Sequence, residues 1–214
     1  MIANLLLLLT AAIWGFGFVA QVLGMNYLEP FAFIGARFVL GALSLLPVIW
    51  YLQRQEITAG PGIGYLIYAS CVLGTILFAA SSFQQVGLLY TTASNAGFIT
   101  GMYMVFVPIF GLMLGMATGL VTWLGCIVAA TGLFMLGVND RYEMGYGDLL
   151  QLAGAGIWAA HILAIDHFTK YAPGVQLACG QFVVCAALGA IVSMVFAGET
   201  TTWPQLVAAV PTLI

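Results

Sequence analysis

Seven long apolar runs, each about the length of a bilayer-spanning helix, constrain this chain more than any other feature. They cover residues 2–22, 31–52, 63–83, 92–116, 120–138, 148–166 and 175–197, and an eighth opens at Pro204 and reaches Ile214. Crossing about 30 Å of hydrocarbon takes about 20 helical residues at about 1.5 Å each, so the seven are long enough and the eighth is not. With 63% of residues hydrophobic and 5% charged, against about 25% charged in a soluble domain, these side chains have to face lipid. A β-barrel would show short segments of alternating polarity instead of long runs rich in Leu, Ala and Gly. The expected fold class is therefore all-α integral membrane, with the lipid bilayer as partner. A net charge of −3 and the lack of a basic stripe speak against nucleic acid. Cys71, Cys126, Cys179 and Cys185 all fall in apolar runs and read as small buried hydrophobes, without metal-ligand spacing.

The first run lacks the basic start of a cleaved signal peptide, and a repeat argues for keeping it. An offset of 144 residues brings Trp14 onto Trp158, Leu5 onto Leu149, Ala11 onto Ala155, Ile13 onto Ile157 and Ala20 onto Ala164. After a one-residue gap at Pro30/Pro173, Phe38 meets Phe182, Val39 meets Val183, and Arg37 lies opposite Gln181. One unit holds five spans, an odd number, so the second must enter the membrane inverted. This arrangement is shared by many secondary transporters that bind solute at the midplane. The expectation is a 5+5 inverted-repeat, ten-helix architecture with residues 1–143 as the first unit and 144–214 as part of the second. Two complete units at this period need about 288 residues, so the chain reads as truncated, with about seven and a half helices.

Loop charge sets orientation. With the N-terminus in the cytoplasm, Arg54, His167 and Lys170 lie inside, whereas Arg141 lies outside beside Asp140 and Glu143.

Polar residues inside the runs are the candidate solute contacts. Arg37 lies seven residues past Pro30, about 10 Å along a helix, where a charge costs roughly 2.5–3.5 kcal/mol. It either snorkels to the headgroups beside Glu29 or holds a substrate carboxylate. Trp14 and Gln21 share a face with Gly17 and Phe18, and Trp158 shares one with His161, a proton-relay candidate. Asp166 reads as an interfacial charge or a coupling carboxylate. Thr92, Asn95 and Tyr103 fall on one face if the fourth run is a continuous helix turning about 100° per residue. They suit a polar cavity or interhelical hydrogen bonds equally. Gly97 and Gly101, then Gly111, Gly115 and Gly119, give the spacing of close helix contact, and Pro47 and Pro108 permit bends.

The chain resembles the EamA-type branch of the drug/metabolite transporter superfamily. The likeness rests on Ala12-Ile13-Trp14-Gly15-Phe16-Gly17-Phe18, on Pro30 with Ala36-Arg37-Phe38 and Leu46-Pro47, and on Gln84 to Ile99 followed by Pro108. It implies ten helices and export of amino acids or related small metabolites. No enzyme site, cofactor motif or ATP-hydrolysing motif stands beside it, so uphill movement would draw on an ion gradient, with protons as the candidate coupling ion. The expected function is secondary transport by alternating access in the cell membrane. The alternatives are a non-transporting membrane subunit or sensor and, further off, a membrane-embedded enzyme acting on lipids.

Overall fold

A computed structural model describes residues 2–54, 62–137 and 144–196. The described residues form eight helices and no strand, as a bilayer demands when every backbone polar group has to be satisfied within its own segment. They are α1 (Ile2–Gly24), α2 (Pro30–Arg54), α3 (Ile63–Gly87), α4 (Ala93–Gly101), α5 (Tyr103–Met113), α6 (Leu120–Gly137), α7 (Tyr146–Thr169) and α8 (Gly174–Phe196). The seven apolar runs thus become seven helical stretches, the fourth divided at Met102. The run from Pro204 and the loop charges Asp140, Arg141 and Glu143 lie outside the described residues.

Helix ends follow local chemistry. Pro30 opens α2, where its missing N–H has no intrahelical partner to lose. Thr92 caps α4 by accepting the Asn95 N–H at 3.2 Å. Asp148 sits in the first turn of α7, with Oδ2 accepting the Gly145 N–H at 3.0 Å and Oδ1 accepting the Thr91 hydroxyl at 2.5 Å. Its charge lies where the helix dipole favours an anion. At the end of α5, Gly115 takes φ +78°, and Met116 N donates to Gly111 O while Gly115 N donates to Leu112 O. This reversal favours glycine, and it gives Gly115 a capping role where a packing role was expected. Inside α5, Pro108 cannot donate to Met104, four residues earlier, and the Cys126 thiol of α6 reaches that carbonyl at 3.4 Å.

The core is built from α2, α3, α7 and α8, with α2 laid along α8 and α3 along both α7 and α8. Lipid gives helices no hydrophobic reason to associate, so contact depends on small residues that let backbones approach. A Cβ added to Gly189 would fall 2.9 Å from the Gly35 nitrogen, and one on Gly74 2.5 Å from the Val184 Cβ. One on Gly147 would fall 2.7 Å from the Gly87 oxygen. The close glycine contacts are therefore in α2, α3, α7 and α8. Gly97 meets Phe18 only at ordinary distance, and Gly115 and Gly119 have open surroundings.

Apolar side chains project outward. Phe16 is 76% exposed and Val121 83%, while the buried polar set includes Gln21, Gln84, Gln85, Gln151, His161 and Gln181. That inversion of a soluble protein's pattern identifies the solvent as lipid. Cys126, Cys179 and Cys185 are buried as expected, whereas Cys71 is exposed. Near the end of α2, the Arg54 guanidinium lies 3.8 Å over the Trp50 ring, an arrangement suited to a membrane–water boundary.

Candidate functional site: a polar cavity between six helices

Between α1, α2, α3, α5, α7 and α8 lies a cavity of about 570 Å³, within the range of small-molecule sites. From α1 it receives Trp14, Phe18 and Gln21, from α2 Phe33, Arg37 and Phe38, and from α3 Ser81, Gln84 and Gln85. Tyr103 comes from the first residue of α5, Trp158 and His161 from α7, and Gln181 and Phe182 from α8. Six of the eight sequence candidates thus share one space: Trp14, Gln21, Arg37, Tyr103, Trp158 and His161.

Thr92 and Asn95 do not line it. Thr92 is an exposed cap outside the helix, and the Asn95 Oδ1 is buried without a hydrogen-bond partner. The single-face expectation assumed one continuous helix from Thr92 to Tyr103. The helix instead begins after Thr92, and at Met102 it tightens, with the Met102 N–H bonding the Ile99 carbonyl three residues back, so the phase relating Asn95 to Tyr103 is shifted.

Two pairs of residues 144 apart meet at this cavity. The Trp14 and Trp158 rings have centroids 6.1 Å apart, and Phe38 and Phe182 are at 5.3 Å. Two of the helices carrying them keep the same offset, with Pro30 and Gly174 opening α2 and α8.

A chain of amides ties the walls together. Gln21 Nε2 donates to the Gly17 carbonyl at 3.0 Å, Gln84 Nε2 donates to Gln21 Oε1 at 2.9 Å, and Trp158 Nε1 donates to Gln84 Oε1 at 3.0 Å. Behind them, Gln151 Nε2 donates to the Gln84 carbonyl at 2.8 Å, and the Thr100 hydroxyl donates to Gln151 Oε1 at 3.2 Å. His161 Nε2 lies 2.8 Å from Gln181 Oε1. An amide oxygen only accepts, so this nitrogen carries the proton and the ring is fixed in one tautomer when neutral.

Arg37 has no such partner. Among the described residues it makes no ion pair, with Glu29 or any other acid, and no side-chain hydrogen bond. Asp166 lies outside this cavity: it pairs with Lys170 at 2.8 Å on the exposed end of α7, more than half exposed. This matches the interfacial reading of that carboxylate.

Sequence reasoning did not single out Gln84 and Gln85 as site residues. A detectable signal was present: Gln21, Gln84, Gln151 and Gln181 each sit within or at the margin of an apolar run, where an amide needs a partner.

The helices and cavity define a multi-pass helical membrane protein with a polar interior. The model of the EamA-like transporter family matches residues 1–138, and the chain belongs to that family. Two relatives from Archaeoglobus fulgidus are each described as an uncharacterized transporter. One is 31% identical over 215 residues, covering 93% of this chain and 61% of the relative. The other is 28% identical over 220 residues, covering 96% and 72%. The chain therefore spans between three-fifths and three-quarters of these relatives' lengths. A crystal structure 21% identical to this chain covers 95% of it and 73% of its own chain, with a TM-score of 0.65, a likeness of fold.

Proposed function

We propose that this chain forms part of a secondary transporter that moves a small metabolite, an amino acid or related solute, out of the cell by alternating access. The observation that carries this reading is the cavity itself. Six helices converge on a polar, aromatic-walled space with a free guanidinium, inside a molecule whose outer surface is apolar. The meeting of Trp14 with Trp158 and of Phe38 with Phe182 supports two inverted units, 1–143 and 144–214, related by an axis through the cavity. In this reading the units rock about the axis and expose the cavity to each side in turn. Arg37, Gln21, Tyr103, Trp14, Trp158 and His161 contact the solute.

The N-terminus is placed on the cytoplasmic side of the cell membrane, which puts Arg54, His167 and Lys170 inside. A proton is the proposed coupling ion where movement is uphill, with His161 as the group to carry it. Flux of amino acids and nucleobases in proteoliposomes tests the function. Arg37→Gln is expected to abolish most of the flux while leaving the yield of folded protein close to wild type. Equal loss of flux and yield would make Arg37 a structural residue.

A further inference from the structure

We propose that the cavity is an anion site: it takes a small monocarboxylate with an apolar or aromatic body, held by Arg37 and Gln85, in preference to a zwitterion or cation of the same shape. This rests on the cavity being the solute site and, within the amino acids and related solutes proposed for it, selects the related carboxylates over the amino acids themselves.

The case lies in which hydrogen-bonding groups are spent and which are free. Among the described residues Arg37 is the only charged side chain in the lining, which there contains no Asp or Glu. Its guanidinium has no hydrogen bond or ion pair among the described residues. Gln85, also in the lining, is 2% exposed, and its Nε2 has no hydrogen-bond partner. Buried donors without acceptors are rare, because burial strips their water without replacing it. A ligand oxygen would satisfy this one.

The acceptors are differently placed. Gln21 Oε1 takes the Gln84 amide, Gln84 Oε1 takes the Trp158 indole, and Gln181 Oε1 takes His161. An ammonium entering this cavity would find aromatic faces, no carboxylate among the described residues, and, apart from the Gln85 oxygen, amide oxygens that each already accept a bond. A carboxylate would find a guanidinium fork suited to bidentate pairing and a free amide N–H. The low dielectric of a protein interior strengthens attraction and repulsion alike, so a cation beside Arg37 is disfavoured. Trp14, Phe18, Phe38 and Phe182 supply the apolar walls for the remainder of the solute.

Three compounds with one aromatic body separate the charge classes: 3-phenylpropionate (anion), phenylalanine (zwitterion) and phenethylamine (cation). Binding of each to the chain in lipid nanodiscs, measured by calorimetry, is expected to fall in that order, with at least about tenfold between the first two. Arg37→Gln is expected to weaken 3-phenylpropionate about 10- to 100-fold and remove the order, and Gln85→Leu to weaken it about tenfold. Gln85→Glu, close to isosteric, puts a second charge against the ligand and is expected to abolish anion binding, so a misfolded Arg37→Gln variant would not leave the question open. Tighter binding of phenylalanine or phenethylamine, an unchanged order in Arg37→Gln, or no binding of any of the three at millimolar concentration would overturn the anion site. Anion binding without flux in proteoliposomes would contradict transport while leaving the anion site intact. Flux that favours the zwitterion or cation would do the opposite.

Discussion

Helices α1 and α7 carry tryptophans 144 residues apart whose rings meet, yet their surroundings are opposite. α7 packs against α3, α4 and α5, and buries Gln151, Gly154, Ala155, Ala159 and His161. α1 packs chiefly on α4 and leaves Leu8 and Phe16 at least 70% exposed, while Gln21 is buried. Their partners α2 and α8 differ in a complementary way. Gln181 of α8 is neutral and tied to His161, whereas Arg37 at the matching place in α2 is charged and untied. Positions 144 residues apart therefore meet at the cavity without sharing the same structural commitment. Among the described residues, Gln21, Gln84, Gln151 and Gln181 are committed to holding the walls together, whereas Arg37 is left to meet a solute.

The largest effect should come from the interface that holds α3, α7 and α8 together. Gly74→Val adds bulk where even a Cβ lies 2.5 Å from Val184, and overpacking of this kind costs about 1–3 kcal/mol or more. The expected result is loss of monodisperse protein in detergent. Gly15→Val on α1 has open space and should change yield and unfolding temperature little. Equal damage from both would erase the distinction between the packed helices and α1.

Next in size, Gln181→Leu strands the buried His161 and should lower stability by about 1–3 kcal/mol, measured by thermal unfolding. Arg37→Gln should leave unfolding close to wild type, since no described partner is lost. The reverse ranking would assign the structural role to Arg37. The smallest expected difference lies within the tryptophan pair. Trp158→Phe loses the bond from Nε1 to Gln84 and should cost about 0.6–1 kcal/mol. Trp14→Phe loses no side-chain hydrogen bond among the described residues and should cost less.

Hydropathy and length place each of the seven described helical stretches to within a few residues, because lipid imposes the same rule on each span. The division at Met102 was not legible, since Pro108, the residue that marks irregularity in this span, stands six positions beyond it. The third run was read to residue 83, yet α3 continues to Gly87 and buries Gln84 and Gln85 in its last turn. Two adjacent amides after an apolar run look interfacial from local composition alone. Their burial becomes plain only when Gln21, Gln151 and Trp158 arrive from distant parts of the chain. Arg37, Trp14 and Trp158 are accessible to sequence reasoning because charge and indole stand out in an apolar background, and the 144-residue offset relates the two tryptophans.

The central point is that Arg37 faces the interior cavity while Val39, two residues on, faces lipid. With the four native cysteines replaced, Arg37→Cys and Val39→Cys can each be treated in membranes with a water-soluble thiosulfonate reagent. Such a reagent attacks the thiolate, which forms in water and not in hydrocarbon. Val39 is 47% exposed on the outer face of α2, whereas Arg37 lines the cavity. The expected result is rapid labelling at position 37 and little at position 39; equal labelling at both, or labelling confined to position 39, would contradict the account.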